Sequence, residues 1–199
     1  MRDRMRSPAG LGLRPWELSD APAVWEAFAE PLMQRQADAL IATVADAEQW
    51  LQRRRDQWRR QVVYSFAVVD STDTALGGVA VSNLDPQHAT GWISYWTASA
   101  ARGRGVATYG CQAPAAWCFA DLGLFRLELG HRTNNPASCR AALASGFTAE
   151  GLQRQKLAYG GIRYDVEIHA RLATDSHPGQ CSEPSQADDA PVNHDQEDP

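Results

Sequence analysis

The sequence predicts an α/β fold: a mixed, mostly antiparallel central sheet flanked by about four helices. Two patterns carry that expectation. Between residues 62 and 97 three β-rich runs follow one another across short turn-forming stretches, as antiparallel neighbours do. From residue 91 onwards strand-like and helix-like segments alternate, the pattern of strands returned across a sheet by helices. A third observation supports both. With 44% hydrophobic and 22% charged residues over 199 positions, the chain can bury one sizeable core.

The elements follow in order. Residues 11–16 are a short strand candidate. Ser19 or Asp20 can cap a helix to about residue 30, with Val24, Trp25 and Phe28 on one stripe. A second helix spans about 43–60, where Val44, Leu51 and Trp58 recur every seven residues on the buried side. Its other faces carry Arg53, Arg54, Arg55, Arg59 and Arg60, which read either as a solvated face or as a basic wall beside an acidic acceptor or a nucleic acid. Residues 62–70 and 75–84 are strands joined by the hairpin signal Ser71, Thr72, Asp73, Thr74. In 91–97, alternation puts Trp92, Ser94 and Trp96 on one face and Ile93 and Tyr95 on the other, where Tyr95 reads as core. A helix over 105–122 comes next, with Pro114 expected to kink it. Residues 125–130 are a strand. A helix over 136–145 starts on Pro136 and is stopped by Gly146. Strands 152–159 and 163–172 flank the turn Gly160-Gly161.

Charge divides the chain. The net charge is −5, yet residues 174–199 hold seven acids and no Lys or Arg, leaving residues 1–173 mildly cationic. Interrupted by Pro178, Pro184 and Pro191, 174–199 is expected to be a disordered acidic tail and 1–173 the folded domain. Lys156 is the single lysine, so no lysine-bearing phosphate loop exists. Cys111, Cys118, Cys139 and Cys181 make no C-x-x-C pair and no ligand-like cluster with His, so no metal is expected. No apolar stretch follows the charged N-terminus and none is long enough to span a membrane, so a cytoplasmic protein without membrane partners is expected.

Two strand-to-helix junctions carry the chemistry. In the first, Arg102, Gly103, Arg104, Gly105, Val106, Ala107 and Thr108 open a helix. Helix N-termini present unpaired N–H groups that bind phosphate oxygens. Gly103 and Gly105 let a ligand approach the backbone, and Arg102 and Arg104 add cationic donors. This is a pyrophosphate cradle built without lysine. Thr108 stands where a dinucleotide fingerprint would need its third glycine. In the second junction, Asn135 can cap the helix that Pro136 begins, or can serve with Ser138 as a polar donor to a ligand leaving the first cradle.

Together these segments resemble the GNAT superfamily of N-acetyltransferases. Arg102 to Ala107 matches its acetyl-CoA signature, and Arg126-Leu127-Glu128-Leu129 through Asn135, Ser138, Gly146, Phe147, Glu150 and Gly151 resembles the RimJ/RimL-type branch. The resemblance covers residues 11–173. It implies a sheet splayed between its fourth and fifth strands, here 91–97 and 125–130, with pantetheine in the opening against backbone around Trp96 and Thr97. The pyrophosphate would lie on N–H groups from Gly103 to Thr108. It implies acetyl-CoA as donor and an amine acceptor (a protein N-terminus or a small molecule); the net charge of −5 argues against a direct nucleic-acid partner, and a homodimer is left open. By the same resemblance Ser138 sits near the sulfur as the group that hydrogen-bonds or protonates the leaving thiolate. Glu128 is the candidate base through water, unless it is simply the partner of Arg126 on its own strand face. His131 is the reserve base, or a strand-end polar residue. The acid often found at the start of the family's fourth strand is absent here, where Ala89-Thr90-Gly91 stands. The acceptor wall is expected from the second helix and the preceding loop 31–42, with Gln34, Arg35 and Gln36, and from Trp92 and Trp96.

Overall fold

A computed structural model describes residues 5–7, 10–34 and 39–175. The strands are β1 (Met5–Arg6), β2 (Gly12–Pro15), β3 (Tyr64–Val69), β4 (Ala75–Asp85), β5 (Thr90–Thr97), β6 (Arg126–Arg132), β7 (Thr148–Tyr159) and β8 (Ile162–Leu172). The helices are α1 (Ala21–Phe28), α2 (Pro31–Gln34), α3 (Val44–Arg59), α4 (Val106–Ala120) and α5 (Pro136–Ala144). Short 3-10 turns precede α1 and α4. All eight strands form one sheet in the order β1-β2-β3-β4-β5-β6-β8-β7. Every neighbouring pair is antiparallel except β5 and β6, which are parallel.

The expected strands and helices are present, with two additions. β1 and α2 hold two and four residues, too few to leave a periodic pattern. β6 runs on to Arg132 and β7 begins at Thr148, each past the expected bounds. α4 runs as one helix through the buried Pro114. Of the proposed tail, Thr174 and Asp175 form a turn in which Leu172 N–H donates to the Asp175 carboxylate at 2.8 Å. The remainder, 176–199, lies outside the described residues, as do Arg35 and Gln36. Among the described residues no helix is long and apolar enough to cross a membrane.

Each sheet face has its own core. Alternation along β3, β4 and β5 sends Phe66, Val68, Val79, Val81 and Ile93 to the face covered by α4 and α5, where they pack with Leu127, Leu129 and Phe147. The opposite residues meet α1 and α3: Ala67 and Val69 pack with Trp16, Val24, Phe28, Trp50 and Leu51. The buried stripe of α3 is Ala47, Trp50 and Leu51, with Val44 and Trp58 only half-buried at its ends. Trp16 stacks on Trp96 at 5.9 Å with planes 9° apart, and Phe28 meets Trp96 edge-on at 5.1 Å. Apolar burial on two faces of a sheet is the main stabilising contribution to such a domain.

A buried ion pair anchors the start of α1. Arg14 donates to both carboxylate oxygens of Asp20 at 2.8 Å, and both side chains are buried. Asp20 also accepts the Glu17 N–H. α3 begins with a reciprocal cap, since Thr43 Oγ1 accepts from Asp46 N–H at 3.1 Å while the Asp46 carboxylate accepts from Thr43 N–H at 2.9 Å. Thr43→Ala should therefore destabilise the domain by about 1 kcal/mol. Urea denaturation checks this through a lower midpoint at unchanged slope, and an unchanged midpoint would show that the cap adds nothing measurable.

Candidate active site

The central feature is a parting of two strands. β5 and β6 pair only through Thr90–Arg126, Gly91–Leu127 and Trp92–Glu128. Beyond Trp92, β5 stays bonded to β4, with Ser94, Trp96 and Thr97 opposite Ala80, Gly78 and Gly77. β6 stays bonded to β8 as far as Arg132. The gap thus opens inside the sheet, and it is lined by backbone that neither flanking strand uses. The direction of that backbone can be read from one bond. Ala98 N–H donates to Leu76 O on β4, so by the two-residue alternation Trp96 also directs its backbone to β4. Tyr95 and Thr97 then turn theirs into the gap. Of the two residues expected to meet pantetheine, Thr97 is the one whose backbone faces it. Trp96 contributes its indole to the other side.

At the open end of the gap lies the Gly/Arg cradle. Gly105 is the N-cap of α4 at φ +77°, and Gly103 has φ +76°, a left-handed backbone that glycine adopts without a Cβ penalty. No side chain caps the helix. The first N–H groups of α4, through Thr108, lack intrahelical acceptors as at any helix start. A Cβ built on Gly103 or Gly105 would meet no heavy atom within 4 Å, so the space over the loop is open. Val106 is buried and pins the helix start against Gly77 of β4. Arg102 is already engaged: it donates to Glu30 at 2.8 Å, tying the cradle to the end of α1. The Ser99 hydroxyl and Arg102 hold the Glu30 carboxyl below the usual range. Arg104 is exposed, and its charge adds to the Thr72 hydroxyl and the Thr74 and Thr72 N–H groups that hold the Asp70 carboxyl below its usual range.

The second wall is α5. Asn135 accepts the Ser138 N–H at 3.2 Å, so it occupies the capping position. Ser138 is half-buried, and its Oγ has no hydrogen-bond partner among the described residues. Its carbonyl accepts the Tyr95 hydroxyl at 3.2 Å across the gap. Burial pushes the Tyr95 pKa up, which keeps the phenol protonated as a donor. Alternation placed Tyr95 among core residues, and its ring does pack there. What the pattern missed is the hydroxyl, which needs a partner when its ring is buried and finds one on the far wall.

Glu128 stands at the last paired position, where the gap begins. Its Oε1 accepts from Arg126 Nε at 2.7 Å, and Arg126 also holds Glu150 on β7. The ion-pair reading of Glu128 is therefore present. Its Oε2 has no partner among the described residues, and the side chain is 37% exposed. Glu128 shares a face with Gly130, whose missing Cβ would meet Trp92 at 3.1 Å. His131 lies on the other face, buried with its Nε2 3.0 Å from that of His169.

On the α1/α3 side of the sheet a cavity of ≈ 310 Å³ is walled by Phe28, Met33, Trp50, Arg54, Ser94 and Trp96. A second, of ≈ 340 Å³, continues towards the sheet edge past Glu17, Arg55, Trp58 and Arg59. Arg54 and Ser65 stand in the walls of both. Arg54 was legible only as one of a basic run. In the fold it is half-buried, with its guanidinium 4.6 Å above the Trp50 ring. Gln34 is exposed at the end of α2.

A parted parallel pair, an uncapped glycine-bounded helix start and a serine across the gap match the expected acetyl-CoA binder. The protein-family comparison agrees: the acetyltransferase (GNAT) domain model matches residues 10–148. The chain belongs to the GNAT acetyltransferase family. The acetyltransferase domain is 28% identical over 100 residues to the ribosomal-protein-serine acetyltransferase of Escherichia coli, a match spanning 50% of this chain and 56% of that enzyme. It is 25% identical over 171 residues to the probable N-acetyltransferase YjcK of Bacillus subtilis, covering 82% and 94% of the two chains. Among solved structures, RimJ of Mycobacterium smegmatis, in complex with a CoA disulfide, superposes with a TM-score of 0.73 at 26% identity over 86% of each chain. The expected mixed sheet, parted between the family's fourth and fifth strands (β5 and β6 here), is the fold of this domain.

Proposed function

We propose that the domain transfers the acetyl group of acetyl-CoA directly to the N-terminal amine of a protein or peptide. The observation that carries this reading is the gap between β5 and β6, open from the α4 cradle to Ser138. A CoA molecule bears a pyrophosphate and an amide-bearing arm. The cradle suits the first through Gly103, Arg104, Gly105, Val106, Ala107 and Thr108, and the gap-facing backbone of Tyr95 and Thr97 suits the second. The similar RimJ of Mycobacterium smegmatis is in complex with a CoA disulfide, which supports CoA as the ligand.

The acceptor class follows from charge. The cavities on the α1/α3 side contain Arg54, Arg55 and Arg59 against the single carboxylate of Glu17. Such walls repel polycationic amines and accommodate an amine at the end of a neutral or acidic peptide. A neutral amine attacks the thioester carbonyl. Its proton leaves through water to Glu128, and the departing thiolate receives its hydrogen bond from the Ser138 hydroxyl, with Tyr95 holding the Ser138 backbone in place. Glu128→Gln should lower kcat about 10²-fold with little change in CoA affinity. Steady-state turnover beside calorimetric CoA titration checks this, and unchanged turnover would remove Glu128 from the proton path. The acceptor class is tested by a thiol-release screen with acetyl-CoA against peptides, spermidine and aminoglycosides. Peptides are expected to turn over and polycations not. Turnover confined to polycations would overturn the acceptor assignment, and CoA binding without turnover on any amine would make the domain a non-catalytic CoA-binding module.

A further inference from the structure

Four side chains that the acetyl-transfer reading leaves unused converge beside α5. His131 comes from β6, Cys139 from the first turn of α5, and Glu167 and His169 from β8. One ligand atom from each lies within 4.8 Å of every other. His131 Nε2 is 3.0 Å from His169 Nε2, and Glu167 Oε2 is 3.0 Å from His169 Nε2 and 3.3 Å from His131 Nε2. Cys139 Sγ is 3.6 Å from the same Glu167 oxygen. We propose that His131, Cys139, Glu167 and His169 form a tetrahedral site for a divalent transition metal, with zinc favoured by the donor set.

The first argument is the protons. His131 Nδ1 is 3.1 Å from Arg132 O, and His169 Nδ1 is 3.4 Å from Phe147 O. A carbonyl only accepts, so each Nδ1 carries its hydrogen and each Nε2 of a neutral ring presents a lone pair. Two lone pairs and a carboxylate oxygen then face one another at 3.0–3.3 Å. Such a triangle of acceptors repels unless a proton or a metal cation sits in it. An Nδ1 fixed by a backbone carbonyl with Nε2 turned inwards is also the usual outer support of a metal-ligating histidine.

The second argument is size. The corners of that triangle lie about 1.8 Å from their common centre, so zinc at its usual bond lengths of about 2.0–2.2 Å to N and O sits just off the plane. The sulfur-to-oxygen spacing of a tetrahedral site is about 3.5 Å by the same bond lengths, close to the 3.6 Å observed, and Cys139 would close on the ion by a side-chain rotation, since its sulfur stands up to 4.8 Å from the histidine nitrogens. The third argument is charge. A Cys139 thiolate and the Glu167 carboxylate neutralise a divalent ion, and binding releases the thiol proton to solvent. His131 and His169 are buried while Glu167 and Cys139 are half-buried, so the pair nearer solvent supplies the entry path. The ligands lie 8 and 28 residues apart before the Glu167-x-His169 pair, so no short ligand spacing marks the site in the sequence. A bound ion would clamp α5, and with it Ser138, to β6 and β8.

The test uses the untagged full chain. Elemental analysis should find zinc, and Co²⁺ added to the metal-stripped protein should give tetrahedral ligand-field bands with a thiolate-to-cobalt charge-transfer band at one ion per chain. Cys139→Ser should abolish the charge-transfer band, and Glu167→Gln should weaken Co²⁺ binding about tenfold or more. These two half-buried positions are used because His169→Ala opens a hole in the core. The proposal is overturned if the wild-type chain takes up neither ion, if Co²⁺ binds without the charge-transfer band, or if both variants bind it as the wild type does. A metal-free chain in which NMR shows an imidazolium shared between the two histidines, together with absent uptake, would make the cluster a proton-sharing network instead. CoA titrations on the same samples read the acetyltransferase proposal separately, because the cradle contains none of these residues.

Discussion

Gly105→Trp is expected to weaken CoA binding at least about 100-fold, some 2.8 kcal/mol, as measured by calorimetry. Gly105 is the N-cap of α4 in a left-handed conformation, and a Cβ there meets no heavy atom within 4 Å. The fold therefore accommodates the added atoms without a packing clash. The indole instead enters the open space above the first N–H groups of the helix, where the pyrophosphate is proposed to lie. A second effect has to be separated from this one. Any L-residue at this φ costs roughly 1–2 kcal/mol of stability, whatever its size. Gly105→Ala carries the same strain with almost no bulk. Alanine should lower the thermal midpoint as much as tryptophan does, yet retain most of the CoA affinity. Equal affinity in all three proteins would place the phosphates elsewhere.

Ser138→Ala should reduce kcat about 10²–10³-fold and leave the CoA dissociation constant nearly unchanged. The Ser138 backbone is used structurally, since its N–H goes to Asn135 and its carbonyl accepts from Tyr95. Alanine keeps both bonds. Only the hydroxyl is removed, and that hydroxyl has no partner among the described residues. A loss confined to turnover would identify an interaction made chiefly in the transition state. Tyr95→Phe provides the contrast. It removes the bond across the gap while leaving Ser138 Oγ in place, so its effect should be smaller and should appear partly in KM. Full turnover in Ser138→Ala would exclude the serine from the chemistry.

The sheet was legible because its strands alternate cleanly. The faces of β5 read from Trp92, Ile93, Ser94, Tyr95 and Trp96 are the faces found, with Ile93 in the α4 core and Trp96 packed towards α1. The Gly160-Gly161 turn also stands where expected, both residues at positive φ between β7 and β8. Alternation says which way a side chain points, though, and nothing about how long two strands remain paired. The parting of β5 from β6 after Trp92 was expected only through the family resemblance. Ambiguity at Glu128 has a similar origin: Arg126 and the carboxylate share a strand face in any fold, and only the open position at the mouth of the gap adds a chemical role. The histidine–cysteine–glutamate cluster was invisible for a third reason. Its members come from β6, α5 and β8, and only the antiparallel register, with His131 opposite Glu167 and Leu129 opposite His169, brings them together. Chain spacing carries no trace of such a convergence.

The most direct test of the acetyl-transfer reading is thiol release from acetyl-CoA by the purified full chain, run beside mass spectrometry of the acceptor peptide. The predicted result is free CoA appearing in step with a peptide heavier by one acetyl group on its N-terminal amine. Release should be abolished in Gly105→Trp and strongly slowed in Ser138→Ala. No CoA release above the uncatalysed rate with any peptide or small amine, in a chain that calorimetry shows to bind CoA, would contradict it.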